Sequence, residues 1–136
     1  MFKISNLEDT QRLTQAMTED RLWAEQTFYQ RLVLTAETFP KNKAVSFQLK
    51  SGPKDPTETL DWTALLANVT QTANLFHSLG IGPEDVVAFV LPNCTEAVVT
   101  LLAAPTAGIA NPINPLLSPE VMGGLLNETK AKVVVT

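Results

Sequence analysis

Residues 92–96, Pro-Asn-Cys-Thr-Glu, form the stretch most able to do chemistry, because they stand between an apolar run and a helix-like segment. Asn93 and Glu96 sit at the carboxyl end of an expected strand, which is where open parallel sheets bind ligands. The same spacing suits an N-terminal capping pair, in which a short polar side chain and a carboxylate three residues on satisfy free backbone amides. Capping is the preferred reading of Asn93 and Glu96, and a ligand contact the minority one. Cys94 lies at the same helix start, where the helix dipole raises a thiol's reactivity. With no base and no orienting partner beside it, it reads better as a small buried hydrophobe.

The remaining candidates each have a plainer reading. His77 is the only histidine, with no second one to share a metal, so a surface or half-buried side chain is expected. Glu84 and Asp85 are neighbours in a turn, where successive side chains need not converge, and are read as solvated carboxylates. Gly80-Ile81-Gly82 follows a helix and opens a strand, the reverse of a dinucleotide loop. Ser51-Gly52-Pro53-Lys54 lacks the further glycines and the following helix that would aim amides at a phosphate, so it reads as a hairpin loop. No catalytic, cofactor-binding or metal-binding residue is assigned.

The elements that would position these residues centre on 86–112. Residues 86–91 are a β-branched apolar run closed by Pro92, suited to a strand buried on both faces. Residues 95–104 are apolar nearly all round a helix, and Gly108 suits the left-handed residue that ends one. Residues 109–112 resume as a strand, completing a right-handed crossover. Upstream, 7–17 reads as a loosely docked helix and 25–39 as a stronger one, with Phe28, Leu32, Thr35 and Phe39 on its inner face. Strands at 44–49 and 58–60 pair as a hairpin. Asp61 caps a helix with the stripe Trp62, Leu65, Leu66, Val69, Ala73, Phe76 and Leu79. Ser118, Pro119 and Glu120 start a last helix whose Val121, Met122, Leu125 and Leu126 must pack to offset the interior Gly123 and Gly124, and 132–136 is a third parallel strand.

At 136 residues, 45% hydrophobic and 18% charged with a formal charge of −4, the chain has one domain's worth of core and is too acidic for a nucleic-acid binder. A single cysteine, an opening without an apolar leader and the lack of any membrane-length apolar run lead to the expectation of a cytoplasmic protein with no transmembrane segment. The fold class is α/β: a partial parallel sheet with a β-α-β-α-β core flanked by helices, preceded by N-terminal helices and a β-hairpin. Residues 1–43 are read as a helical segment and 44–136 as an incomplete α/β subdomain.

Five pieces then occur in a telling order: Thr59-Leu60-Asp61-Trp62-Thr63-Ala64-Leu65, Ala73-Asn74-Leu75-Phe76-His77-Ser78-Leu79-Gly80-Ile81, Asp85-Val86-Val87-Ala88-Phe89-Val90-Leu91-Pro92-Asn93, Ala107-Gly108-Ile109-Ala110-Asn111-Pro112-Ile113-Asn114-Pro115 and Ala131-Lys132-Val133-Val134-Val135-Thr136. Together they resemble the front of the AMP-forming acyl-CoA synthetases, within the adenylate-forming, AMP-binding superfamily. The resemblance implies the large N-terminal domain of that fold. It also implies a parent that joins a carboxylic acid, in particular a fatty acid, to ATP as acyl-adenylate and then passes the acyl group to coenzyme A. ATP, magnesium and coenzyme A are its implied cofactors.

In that family the phosphate loop, the adenine and metal motifs and the catalytic lysine come after the strand matched by 133–135. The resemblance therefore carries no catalytic residue onto this chain, which is expected to be a catalytically silent N-terminal fragment that self-associates through exposed sheet edges. Pro105 inside a helix and the Gly123-Gly124 pair depart from the family pattern. The alternative is a stand-alone α/β module that binds a partner or small ligand without catalysis. A lesser one is a nucleotide-binding regulatory domain using the Asn93 helix start.

Overall fold

The computed structural model describes residues 6–16, 27–50 and 52–136. Its elements are α1 (Leu7–Ala16), α2 (Phe28–Thr38), β1 (Lys43–Phe47), β2 (Glu58–Asp61), α3 (Trp62–Ser78), β3 (Val86–Phe89), α4 (Thr95–Ala107), β4 (Ile109–Pro112), α5 (Pro119–Glu128) and β5 (Val133–Val135). The expected helix at 25–39 thus begins at Phe28 within the described residues. Its start is fixed by a capping box: Gln30 N–H donates to Thr27 Oγ1 at 3.2 Å, and Thr27 N–H donates to Gln30 Oε1 at 2.8 Å.

β1 and β2 form an antiparallel hairpin, while β3, β4 and β5 form a parallel sheet in the order β4-β3-β5. The chain steps from β3 to β4 on one side and then crosses back to β5 on the other. Because both crossovers are right-handed by the usual rule, α4 and α5 lie against opposite faces. Asn111 Nδ2 donates to Thr129 Oγ1 at 3.0 Å and ties the end of α5 to that second face.

The core lies between the sheet's first face and the helices. Leu32 from α2 joins Leu65, Val69, Ala73 and Phe76 of α3, Val87 and Phe89 of β3, and Val99, Ala103, Ala104 and Ala107 of α4. The alanine-rich face of α4 lets the α3 backbone approach closely, and each large side chain here contributes roughly 1.5–3 kcal/mol by leaving water. As the apolar run predicts, β3 is covered on both faces, with Val87, Ala88 and Phe89 all buried.

Several local expectations are corrected. Phe28 and Phe39 stay about half exposed and only Leu32 and Ala36 of α2 are fully buried, so the inner face is narrower than its apolar composition suggests. Leu79 lies beyond the end of α3 and is exposed. β1 ends at Phe47, leaving Leu49 82% exposed. α5 packs more loosely than its apolar residues suggest: Met122, Leu125 and Leu126 are half-buried, Val121 is exposed, and none is fully buried. Pro105 does not break α4, which continues to Ala107 with Gly108 N–H donating to Ala104 O at 2.8 Å. Proline there removes one donor but faces solvent, so its ring meets little.

Gly108 is not left-handed either: φ is −164°, extended backbone open to any residue. It is required for space, since a Cβ would stand 2.5 Å from Asp85 O and 2.8 Å from Gly82 O. The left-handed helix end is at Gly80, with φ 82°.

Candidate functional site

The turn from β3 into α4 carries the residues that the sequence singles out first, Asn93, Cys94 and Glu96. Pairing in β3 ends at Phe89, and Val90 N–H donates to Val135 O at 2.9 Å as the strand leaves the sheet. Pro92 and Asn93 then precede α4, whose N-cap is Cys94 with no side-chain cap bond. The expected Asn93–Glu96 capping pair is therefore out of register by one residue. With Cys94 as N-cap, the reciprocal position three residues on is Ala97, and Glu96 has nothing to close. Thr95 instead turns its hydroxyl to the hairpin, donating from Oγ1 to Glu58 Oε2 at 2.8 Å.

Asn93 and Glu96 are not brought together. Asn93 and half-buried Cys94 line a cleft of about 350 Å³ at the carboxyl ends of β3 and β4, walled by Phe47, Phe89, Leu91 and Leu101. No base lines it beside the thiol, so the cleft suits an apolar group and offers Cys94 no route to nucleophilic chemistry. Glu96 lines a separate polar cleft between α3 and α4, with Glu58 and Thr95.

The other candidates are engaged structurally. His77 is exposed on α3 and directs Nδ1 at Ile81 O, 3.0 Å away, closing the helix end. Asp85, read from sequence as solvated, is a pivot: its Oδ2 accepts from Gly82 N–H at 2.8 Å and from Lys132 Nζ at 3.0 Å. The Gly82 amide, then the Lys132 ammonium, hold its carboxyl below the usual aspartate range. Glu84 stays exposed, as expected. In the hairpin loop Gly52 N–H donates to Asp55 Oδ2 at 3.0 Å, so that amide faces a carboxylate and not an anion site.

A triphosphate with its divalent cation does not fit these residues. Among the described residues no three His, Cys, Asp or Glu side chains converge to hold a metal. Lys132 is committed to Gly80 O at 2.6 Å and to Asp85. The 90–95 turn has neither a glycine to admit a phosphate nor a basic side chain to balance it. No helix among the described residues is long and apolar enough to cross a membrane.

The long-range contacts that organise this region escape sequence reading. Thr95 and Glu58 are 37 residues apart, and Tyr29 Oη and Thr70 Oγ1, 2.8 Å apart, are separated by 41. Neither pair has a local spacing signal.

Residues 32–136 match the family of AMP-binding enzymes. Marinolic acid–CoA ligase of Pseudoalteromonas sp. (strain SANK 73390) is 33% identical over 133 residues, which cover 98% of this chain and 20% of that protein. The fold superposes on a fatty acyl CoA synthetase of Mycobacterium tuberculosis with a TM-score of 0.68 at 24% identity, over 79% of this chain and 20% of that one. A fatty acid AMP ligase from Legionella pneumophila gives a TM-score of 0.69 at 20% identity, over 79% of this chain and 19% of that one. The chain thus spans about a fifth of the length of these relatives. Its partial parallel sheet, crossover helices and hairpin are those of the N-terminal domain of adenylate-forming enzymes, and the chain belongs to the AMP-binding enzyme family.

Proposed function

We propose that this chain is the leading part of an acyl-CoA synthetase that joins a carboxylic acid to ATP, releases pyrophosphate, and transfers the acyl group to the thiol of coenzyme A. The observation that carries the reading is the 33% identity to a CoA ligase across nearly the whole chain. The implied chemistry needs groups that neutralise charge as pyrophosphate leaves. Residues 1–136 bring no such set together among those described, so their role in the reaction is scaffolding and they are inactive alone. Within them, 44–136 form part of an α/β subdomain, against which α2 of the 1–43 segment docks through Leu32.

The test is carboxylate-dependent exchange of labelled pyrophosphate into ATP, run over a panel of fatty and aryl acids. Purified residues 1–136 exchange no label, whereas the product of the complete reading frame that encodes them does. Exchange by residues 1–136 alone, or none by the complete product with any acid, overturns the proposal.

A further inference from the structure

The polar cleft between α3 and α4, about 360 Å³, falls within the size range of small-molecule sites. It is bordered by Glu58 at the start of β2 and by Thr95, Glu96 and Thr100 of α4, with Asn68, Gln71 and Thr72 of α3 opposite. Two observations set it apart from a solvated groove. The first is its charge: two carboxylates line it and no lysine, arginine or histidine does.

The second is Thr100. Its residue is only 5% exposed, yet its hydroxyl makes no hydrogen bond to any described residue. No fully enclosed side-chain oxygen or nitrogen among the described residues lacks a partner, so this hydroxyl keeps its opening through the cleft it lines. Thr95, 6% exposed, is by contrast satisfied by Glu58 at 2.8 Å. The Thr100 hydroxyl therefore keeps its hydrogen-bonding capacity free for a group that enters the cleft.

We infer that this cleft binds a small aliphatic diamine, with Glu58 and Glu96 accepting from its ammonium groups and the Thr100 hydroxyl accepting one further N–H. An anion is disfavoured by the two carboxylates. A bare metal ion is disfavoured because among the described residues no three anionic or imidazole ligands converge. The positive end of α4 opposes a cation with roughly half an elementary charge, less than the two negative charges facing it. An ammonium donor suits acceptors spread over β2 and α4, since it forms directional bonds to each and needs no compact shell.

The test is a titration of the isotope-labelled chain with 1,4-diaminobutane, followed by amide shifts. Two controls accompany it: 1,4-butanediol, of the same shape without charge, and sodium chloride at matched ionic strength. The expected result is a saturable shift centred on Glu58, Thr95, Glu96 and Thr100, seen with the diamine alone. Joint replacement Glu58→Gln and Glu96→Gln weakens it about tenfold or more, because each lost charge-assisted bond removes a large share of the affinity. Thr100→Val keeps the side chain's shape and the melting temperature and weakens it about threefold. Shifts equal to those in sodium chloride, shifts equal with the diol, or an affinity unmoved by the glutamine pair in a chain that still melts cooperatively each overturn the inference.

Discussion

Lys132 Nζ lies 3.0 Å from Asp85 Oδ2 across 47 residues of sequence, and the same ammonium donates to Gly80 O at 2.6 Å. The pair joins the entry of β5 to the turn before β3, at the edge where Lys132 N–H also donates to Val86 O at 2.9 Å. Asp61 stands in a comparable position at the start of α3, accepting from Ala64 N–H at 2.8 Å and from Lys41 Nζ at 3.3 Å.

Both aspartates carry folded-state pKa values below their ordinary 3.8, Asp85 chiefly through the Gly82 amide and Asp61 chiefly through the Ala64 amide. A depressed carboxylate contributes stability that is fully present above its unfolded pKa and is lost as pH falls through the folded one. Stability therefore falls in the acid window below about pH 4. Asp85→Asn lowers the melting temperature at pH 7 and by less at pH 3, where the unfolded-state carboxylate is already largely protonated and part of the wild-type contribution is gone. Equal losses at both pH values, read by thermal denaturation, would show that the carboxylate charge is not what matters.

Glycine-to-alanine changes should act in opposite directions at two sites. At Gly108 the added Cβ meets Asp85 O at 2.5 Å, Gly82 O at 2.8 Å and Ile81 Cγ2 at 2.9 Å. Two of these neighbours are backbone that cannot rotate away, so Gly108→Ala costs on the order of 3 kcal/mol, by separating β4 from the turn before β3. At Gly123 and Gly124, inside α5, nothing lies within 4 Å of the added atom. There alanine only removes chain entropy from the unfolded state and raises stability by about 0.5–1 kcal/mol per site. Urea unfolding of the three single variants reads both signs.

How much of this was legible depends on the range of the interaction. The stripe Leu65, Val69, Ala73 and Phe76 was readable because helical periodicity is local, and all four are buried. Asp61 and Ser118 were readable as caps for the same reason, and each accepts the backbone amide three residues on. The β3 run announced burial on both faces because strands covered on each side have no polar alternation.

What failed was either a matter of one residue or of distant partners. Moving the α4 start to Cys94 dissolved the Asn93–Glu96 pair, and helix ends are uncertain by that much in any pattern reading. Gly108 stands out in the sequence as a glycine, but the reason is space and not a left-handed turn, since its neighbour Asp85 O is brought close only by the sheet. Thr100 carries no signal at all: a threonine on an apolar helix looks like any other until α3 and α4 are packed together.

The end of α5 stores strain that a substitution can release. Lys130 has φ 52°, the one non-glycine among the described residues in the left-handed region. It follows Thr129, whose N–H donates to Leu125 O at 3.0 Å, and its side chain is exposed. A side chain in that region costs about 1–2 kcal/mol relative to glycine. Lys130→Gly should therefore stabilise the chain by about 1 kcal/mol, with Lys130→Ala showing no comparable gain. Chemical denaturation of both variants separates relief of backbone strain from mere loss of the ammonium.

The sheet also predicts association. β4 and β5 each present an outer edge with no strand beside it in the three-stranded sheet. Parallel strands are ordinarily flanked and covered, and a free edge is a template for pairing with another chain. Val134 on β5 is 43% exposed, Ile109 on β4 47% and Leu101 on α4 47%, and α5 leaves Val121 49% exposed. The chain is therefore expected to run above its 14.8 kDa monomer mass in light scattering, increasingly so with concentration. Val134→Lys places a charge on the β5 edge, which blunts strand pairing without touching the Val133 and Val135 side chains that pack on the core. That variant should return the mass towards the monomer at unchanged secondary structure. A wild-type chain that stays monomeric at the highest concentration reached refutes association altogether, and a Val134→Lys variant that still associates moves the contact to the β4 edge or to Leu101.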